Sequence, residues 1–300
     1  MVVKSDITKK NYDGCLRRMR DGLKVEGVEF LINHAMVCGW IDGLVLSDSS
    51  KKAYYVAVKT TAKEAVKDNI GVSTRFDEAL KKYDEKFKAL AETIYTQSKK
   101  QLTTPAEADK TLAWAEVLAV KEKLQPKEDT TSWTEIQDWV IYSLYTLLPP
   151  LRADYSPMKV FDKKPKEAES TKGNYMILRK TKPVIVLNEY KTKATFGKVE
   201  IGIPSELMEI IKVWRTFNPS EWLLLKDDGQ PMTPDGLSQR VIRIFEKHTG
   251  KGTGISMLRH SYITMKRSGK ELSLLEKEAL ARQMLHSALT NELYRRIDAE

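Results

Sequence analysis

At Pro149-Pro150 the hydrophobic period of the chain changes. Upstream, apolar residues recur at three- and four-residue spacing, in Val28, Leu31, Ile32 and Ala35 and again in Phe76, Leu80, Tyr83 and Phe87, which is the stripe of an amphipathic helix. Downstream come three short extended runs, Tyr175-Met-Ile-Leu, Val184-Ile-Val-Leu and Val199-Glu-Ile-Gly-Ile, separated by Lys/Thr and glycine-containing connections. From Pro204 onward the helical period returns. Three strands enclosed by helical sequence predict a mainly α protein with a small antiparallel β-sheet, three-stranded and set between Arg152 and Pro204.

Local signals place the breaks. Ser47-Asp-Ser-Ser reads as a cap cluster before a helix over 51–63, and Ser73-Thr74 as the caps of the Phe76 helix. Gln101-Leu-Thr-Thr-Pro105 interrupts the periodicity, so the expected division is a helical domain over 1–100 and a second domain over 101–300. Pro105 is suited to the first position of a helix running through Trp114 towards Lys123. A loop over 125–132 leads into an apolar helix over 133–148, which Pro149-Pro150 ends. Pro204 and Pro234 open two more helices, the second stopped by Gly250. The segments 255–266, 272–285 and 289–297 complete the helical reading.

The formal net charge is +9 and the pI about 9.2, an excess that draws a polyanion such as nucleic acid or an acidic membrane surface. The longest apolar stretches fall short of the roughly 20 residues that span a bilayer, so no membrane partner is expected. The N-terminal Met-Val-Val-Lys-Ser-Asp has charges where a secretory leader has its apolar core, and the expectation is an intracellular protein. Only Cys15 and Cys38 are present, in no CxxC unit, which argues against a disulfide scaffold and a zinc site. No cluster of Asp and Glu suggests a Mg²⁺-dependent nuclease or transposase, and no metal or other cofactor is expected.

The most informative stretch is Ile255-Ser-Met-Leu-Arg-His-Ser-Tyr-Ile-Thr264, followed by Met284-Leu-His-Ser287 and then by Tyr294. It resembles the tyrosine recombinases, the lambda-integrase-like family, in which an "HxLRHSxAT" helix supplies the second catalytic arginine, an "LGHS" segment a His or Trp, and a tyrosine follows eight to ten residues later. Arg259, His286 and Tyr294 fall on those positions. Upstream, Leu144-Tyr-Thr-Leu-Leu-Pro-Pro-Leu-Arg152 resembles the segment that carries the first arginine, which assigns that role to Arg152. The family places a lysine on a turn of the small sheet, and Lys191 takes that place here, with Lys193 as the alternative. The Pro-Pro and "YKT" wording is closest to the branch found in eukaryotic mobile elements and large DNA viruses. The resemblance covers about residues 102–300; the helical N-terminal part matches the family's core-binding domain in size and helicity.

What the resemblance implies is an enzyme of DNA recombination and integration, a site-specific recombinase that cuts and rejoins double-stranded DNA through a 3′-phosphotyrosine without metal. Its partners would be DNA and further copies of itself, assembled as a synaptic tetramer, with the two domains clamped about the duplex and the catalytic residues facing the cleft between them. Tyr294 is the expected nucleophile, with Arg295 and Arg296 beside it; Tyr262, on a face with Leu258 and Met265, is expected to pack. Two features depart from the pattern. Ser256 stands where the family has a histidine three residues before the second arginine, and it is expected to line the site with less chemical capacity. Few residues follow Tyr294, where many relatives place a further helix for assembly, so the expectation is that this chain assembles otherwise or has lost that tail. His260 is read as a hydrogen-bonded structural histidine, and His34 and His248 show no comparable context. The rival readings are a type IB topoisomerase, which relaxes supercoils with the same residue types, and a DNA-binding protein that descends from a recombinase and has impaired catalysis.

Overall fold

A computed structural model describes residues 6–68, 73–127, 129–163 and 171–296. The chain forms two compact units, Met1–Lys100 and Gln101–Glu300.

The first unit is helical. It comprises α1 (Asp6–Leu23), a 3-10 turn (Glu29–Ile32), α2 (His34–Gly43), α3 (Asp48–Asp68) and α4 (Ser73–Lys99). The Asn33 side chain caps α2 by accepting from the Met36 amide at 3.1 Å, and Ser47 Oγ accepts from the Ser50 amide at 3.3 Å at the start of α3. The capping expected of the Ser73 and Thr74 side chains lies outside the described residues. Leu16, Met19, Leu31, Val37, Ile41, Tyr55, Val58 and Tyr83 are buried together. Tyr83 resolves its buried hydroxyl by donating to the Leu31 carbonyl at 2.6 Å.

The second unit begins with α5 (Pro105–Ala108), α6 (Trp114–Leu124) and α7 (Trp133–Thr146). The single helix read from Pro105 to Lys123 is therefore two, with residues 109–113 between them. The carbonyls that a continuous helix would pair internally are taken from outside: Thr253 Oγ1 donates to Lys110 O, Lys251 Nζ to Thr111 O, and Ser261 Oγ to Leu112 O. After the break, Glu116 reaches back to the Ala113 amide at 2.7 Å and starts α6 afresh.

Four strands follow among the described residues: β1 (Met158–Phe161), β2 (Asn174–Ile177), β3 (Val184–Leu187) and β4 (Val199–Gly202), in the order β1-β2-β3-β4. The three strands read from sequence pair antiparallel, Tyr175 opposite Val186 and Ile185 opposite Ile201. β1 was not legible in the sequence, and it pairs parallel to β2, Lys159 opposite Tyr175, which makes the sheet mixed. The free side of β1 is covered by the 221–223 segment, through Val160 N to Glu221 O and Leu223 N to Met158 O. A short α8 (Lys193–Phe196) lies in the β3–β4 connection.

The helical remainder is α9 (Ser205–Phe217), α10 (Pro234–Thr249), α11 (Ile255–Arg267), α12 (Leu274–Gln283) and α13 (Ala288–Tyr294). Gly250 ends α10 at φ 76°, a left-handed conformation that glycine adopts without a Cβ penalty. One core packs α6, α7, α9, α10 and α11 around one face of the sheet, with Trp214, Tyr145, Tyr155 and Phe245 fully buried in it.

Candidate active site

α11 is pinned by its apolar face, Ile255, Leu258, Tyr262 and Ile263, and this carries Arg259 into the interior at 1% exposure. A guanidinium that deep needs acceptors. Nη1 donates to the Pro150 carbonyl at 2.5 Å, and Nη2 to the Met284 carbonyl at 3.1 Å and to Nε2 of His286. The Pro-Pro break that stops α7 thus supplies an anchor for an arginine 109 positions away.

α12 ends in a turn in which Leu285, though branched and buried, has φ 54°. That left-handed residue costs about 1–2 kcal/mol and turns the chain so that His286 enters the core beside Arg259. Arg259 has no lone pair to offer, so His286 Nε2 accepts from it and the ring proton sits on Nδ1. Burial, then the charges of Arg259, Arg152 and Lys191, push the His286 pKa down to about 3 and keep the ring neutral. Among the described residues, its Nδ1 and the Nε of Arg259 are buried without a hydrogen-bond partner.

Tyr294, the last residue of α13, closes the cluster. Its ring lies 4.7 Å from that of His286 and 4.5 Å from that of His260, and its centroid is 5.5 Å from the Arg259 guanidinium carbon. Arg152 directly follows Leu151 after the proline pair. Its amide donates to Asp154 Oδ2 at 3.2 Å and its carbonyl accepts from the Tyr145 hydroxyl at 2.9 Å. Burial lifts the Asp154 carboxyl above its ordinary range against the pull of Arg152. The Arg152 charge is close enough to act with burial in lowering both Arg259 and His286.

Lys191 and Lys193 are separated by their partners. Lys193 pairs with Glu189 at 2.8 Å at the start of α8. Lys191 has no ion pair among the described residues, and its charge reaches His286. Thr192, between them, donates to the Leu285 carbonyl at 2.9 Å and ties the β3–β4 connection to the residue before His286. Ser256 lies one turn before Arg259 on α11, exposed, with no hydrogen bond among the described residues. Like Lys193, it is not tied to Arg259, His286 or Tyr294 by any contact among the described residues. Tyr262 stands edge-on to Trp114 at 5.1 Å, and the Ser261 hydroxyl donates to Leu112 O and Met257 O, so both are engaged in packing.

Sequence reasoning missed Thr192 and Asp154, whose partners lie far away or carry no motif. It read His260 as structural but not what it holds: His260 Nδ1 is 2.6 Å from the Tyr294 carbonyl oxygen.

No family model matches the chain, and no curated protein is similar to it in sequence. Among solved structures it is similar to that of XerA recombinase, at 14% identity over 98% of this chain and 88% of the other with a TM-score of 0.44. It is also similar to a lambda integrase tetramer bound to a Holliday junction, at 13% identity, 98% and 72% coverage and a TM-score of 0.49. A lambda integrase dimer bound to a COC' core site matches at 16% identity, with the same coverages and a TM-score of 0.46.

Proposed function

We propose that this chain is a tyrosine recombinase that cleaves and rejoins double-stranded DNA site-specifically through a 3′-phosphotyrosine. The observation that carries the reading is the cluster itself: Arg259, His286 and Tyr294, from α11, the turn after α12 and α13, meet in one place, within the charge field of Arg152 and Lys191. Among the buried polar atoms without a hydrogen-bond partner in the described residues, two donors lie in this cluster, Arg259 Nε and His286 Nδ1, and a phosphate oxygen is an acceptor for them.

In this reading the Tyr294 hydroxyl gives its proton to solvent water as its oxygen attacks phosphorus, the bond to the 5′ oxygen breaks, and that oxygen takes a proton from Lys191. One phosphodiester is exchanged for another, so rejoining needs no ATP. Arg152 and Arg259 stabilise the extra charge of the pentacoordinate phosphorus, each worth roughly a hundred- to thousand-fold in rate. His286, neutral, donates from Nδ1. Lysines and arginines of both units hold the duplex through its phosphates, and further copies of the chain join on the DNA to exchange strands.

The test is covalent trapping on nicked duplexes that the protein selects from a randomised pool. The unmodified protein should form a protein–DNA adduct that Tyr294→Phe abolishes while DNA binding survives. An adduct in the Phe variant rejects Tyr294 as nucleophile. Relaxation of plasmid without a site requirement favours the topoisomerase reading, and DNA binding with no adduct favours the impaired descendant.

A further inference from the structure

Three residues outside the reacting cluster form a hydrogen-bonded chain that ends on the main chain of Tyr294. Glu107 is fixed first, by a capping box in which its Oε2 accepts from the Thr104 amide at 3.0 Å and its own amide donates to Thr104 Oγ1 at 3.3 Å. Its Oε1 takes Arg296 Nη2 at 2.8 Å. The same nitrogen lies 3.3 Å from His260 Nε2, and His260 Nδ1 lies 2.6 Å from the Tyr294 carbonyl oxygen. A carbonyl only accepts and a guanidinium only donates, so His260 holds its proton on Nδ1 and its lone pair on Nε2. Arg296 therefore donates both to the carboxylate and to the imidazole, and His260 donates in turn to the Tyr294 carbonyl.

The segment it ends on has little rigidity of its own. α13 has seven residues, too few to fix an orientation by its own ladder. Further ties converge on the same stretch: Gln101 Nε2 donates to Glu292 O at 2.8 Å, the largely buried Arg267 pairs with Glu292, and the Arg296 amide donates to Thr264 Oγ1 at 2.9 Å. The Tyr294 side chain packs on the two imidazoles and the Arg259 plane and is hydrogen-bonded to that guanidinium. Where the ring sits along those faces depends on the main chain that carries it, and a displacement of about 1 Å is enough to cost on the order of a hundredfold in rate.

We propose that Glu107, Arg296 and His260 are positioning residues that hold the Tyr294 main chain, and through it the hydroxyl, in register with the phosphate. The inference rests on the reading of Tyr294 as nucleophile. Its test compares Arg296→Met and Arg296→Lys with the unmodified protein in two measurements. One is the single-turnover rate of adduct formation on the selected nicked duplexes, with the DNA concentration for half-saturation. The other is amide hydrogen exchange without DNA. In Arg296→Met the adduct rate at saturating DNA should fall about tenfold or more with half-saturation unchanged, and exchange should quicken over 288–294 but not along α11. Arg296→Lys, which keeps a cation beside Glu107, should recover much of the rate. Unchanged exchange over 288–294 overturns the proposal, as does faster exchange throughout α11, which would mark a role in general stability. If the unmodified protein forms no adduct while Arg296→Met still loosens 288–294, the recombinase reading fails and the hold on α13 stands.

Discussion

Acidification from pH 7 to pH 5 should weaken the second unit, and His260 sets the scale. Its ring is buried as the neutral Nδ1–H tautomer, with a pKa held down at about 4, first by burial and then by the Arg296 charge. In the unfolded chain a histidine titrates near 6.5. Between those values the unfolded state binds a proton that the folded state does not, so stability rises with pH across the window and is lost as pH falls through it. At pH 5 that preference is about thirtyfold, or about 2 kcal/mol from this residue alone; below about 4 the folded state protonates too and the loss levels off. His286, pushed lower still, acts in the same direction. Asp138 and Asp154, whose carboxyls burial raises, act in the opposite one. The informative quantity is therefore a difference between two proteins. His260→Asn keeps a donor for the Tyr294 carbonyl and cannot titrate. Urea unfolding followed by tryptophan fluorescence suits the measurement, because five of the six tryptophans lie beyond residue 100. Between pH 7 and pH 5 the unmodified protein should lose about 2 kcal/mol more than His260→Asn. Parallel stability profiles would refute the burial of a neutral His260.

Two further outcomes follow from the geometry. Lys191→Ala should slow adduct formation by about a hundredfold or more and regain the rate on DNA with sulfur in place of the 5′ leaving oxygen, since a thiolate departs without a proton; Lys193→Ala, whose amine is paired with Glu189, should stay close to the unmodified rate. Equal losses in the two variants would dismiss the distinction. Binding of duplex DNA should weaken steeply with salt, with a log–log slope of about −5 if some six phosphates are contacted, and a flat dependence measured by fluorescence anisotropy would remove DNA as the partner.

What was legible in the sequence is what local chemistry decides. Pro204, Pro234 and Gly250 punctuate α9 and α10 by rules that act within a few residues, and the helices appear there. Val184–Leu187 is a strand because four consecutive apolar, mostly β-branched residues are buried on both faces. β1 escaped because Met158–Phe161 alternates for only four residues, with a lysine inside, and is held by partners at 174–177 and 221–223. The break between α5 and α6 escaped for a related reason: its carbonyls are claimed by Lys251, Thr253 and Ser261, more than 130 positions on. In the site, residue types and order singled out Arg152, Lys191, Arg259, His286 and Tyr294, with Lys193 as the alternative lysine, whereas the Glu189 partner of Lys193 and the carbonyl oxygen that His260 meets are encoded by no motif.

The two units have separate cores, one built from residues between Cys15 and Tyr83 and the other from residues from Leu112 onward, and every candidate catalytic residue belongs to the second unit. Substitutions inside the first core therefore act on a different set of buried side chains from those packed around Arg259. Each core can accumulate its own compensating changes, so that a lineage repacks the first hundred residues without altering a core side chain of residues 101–300.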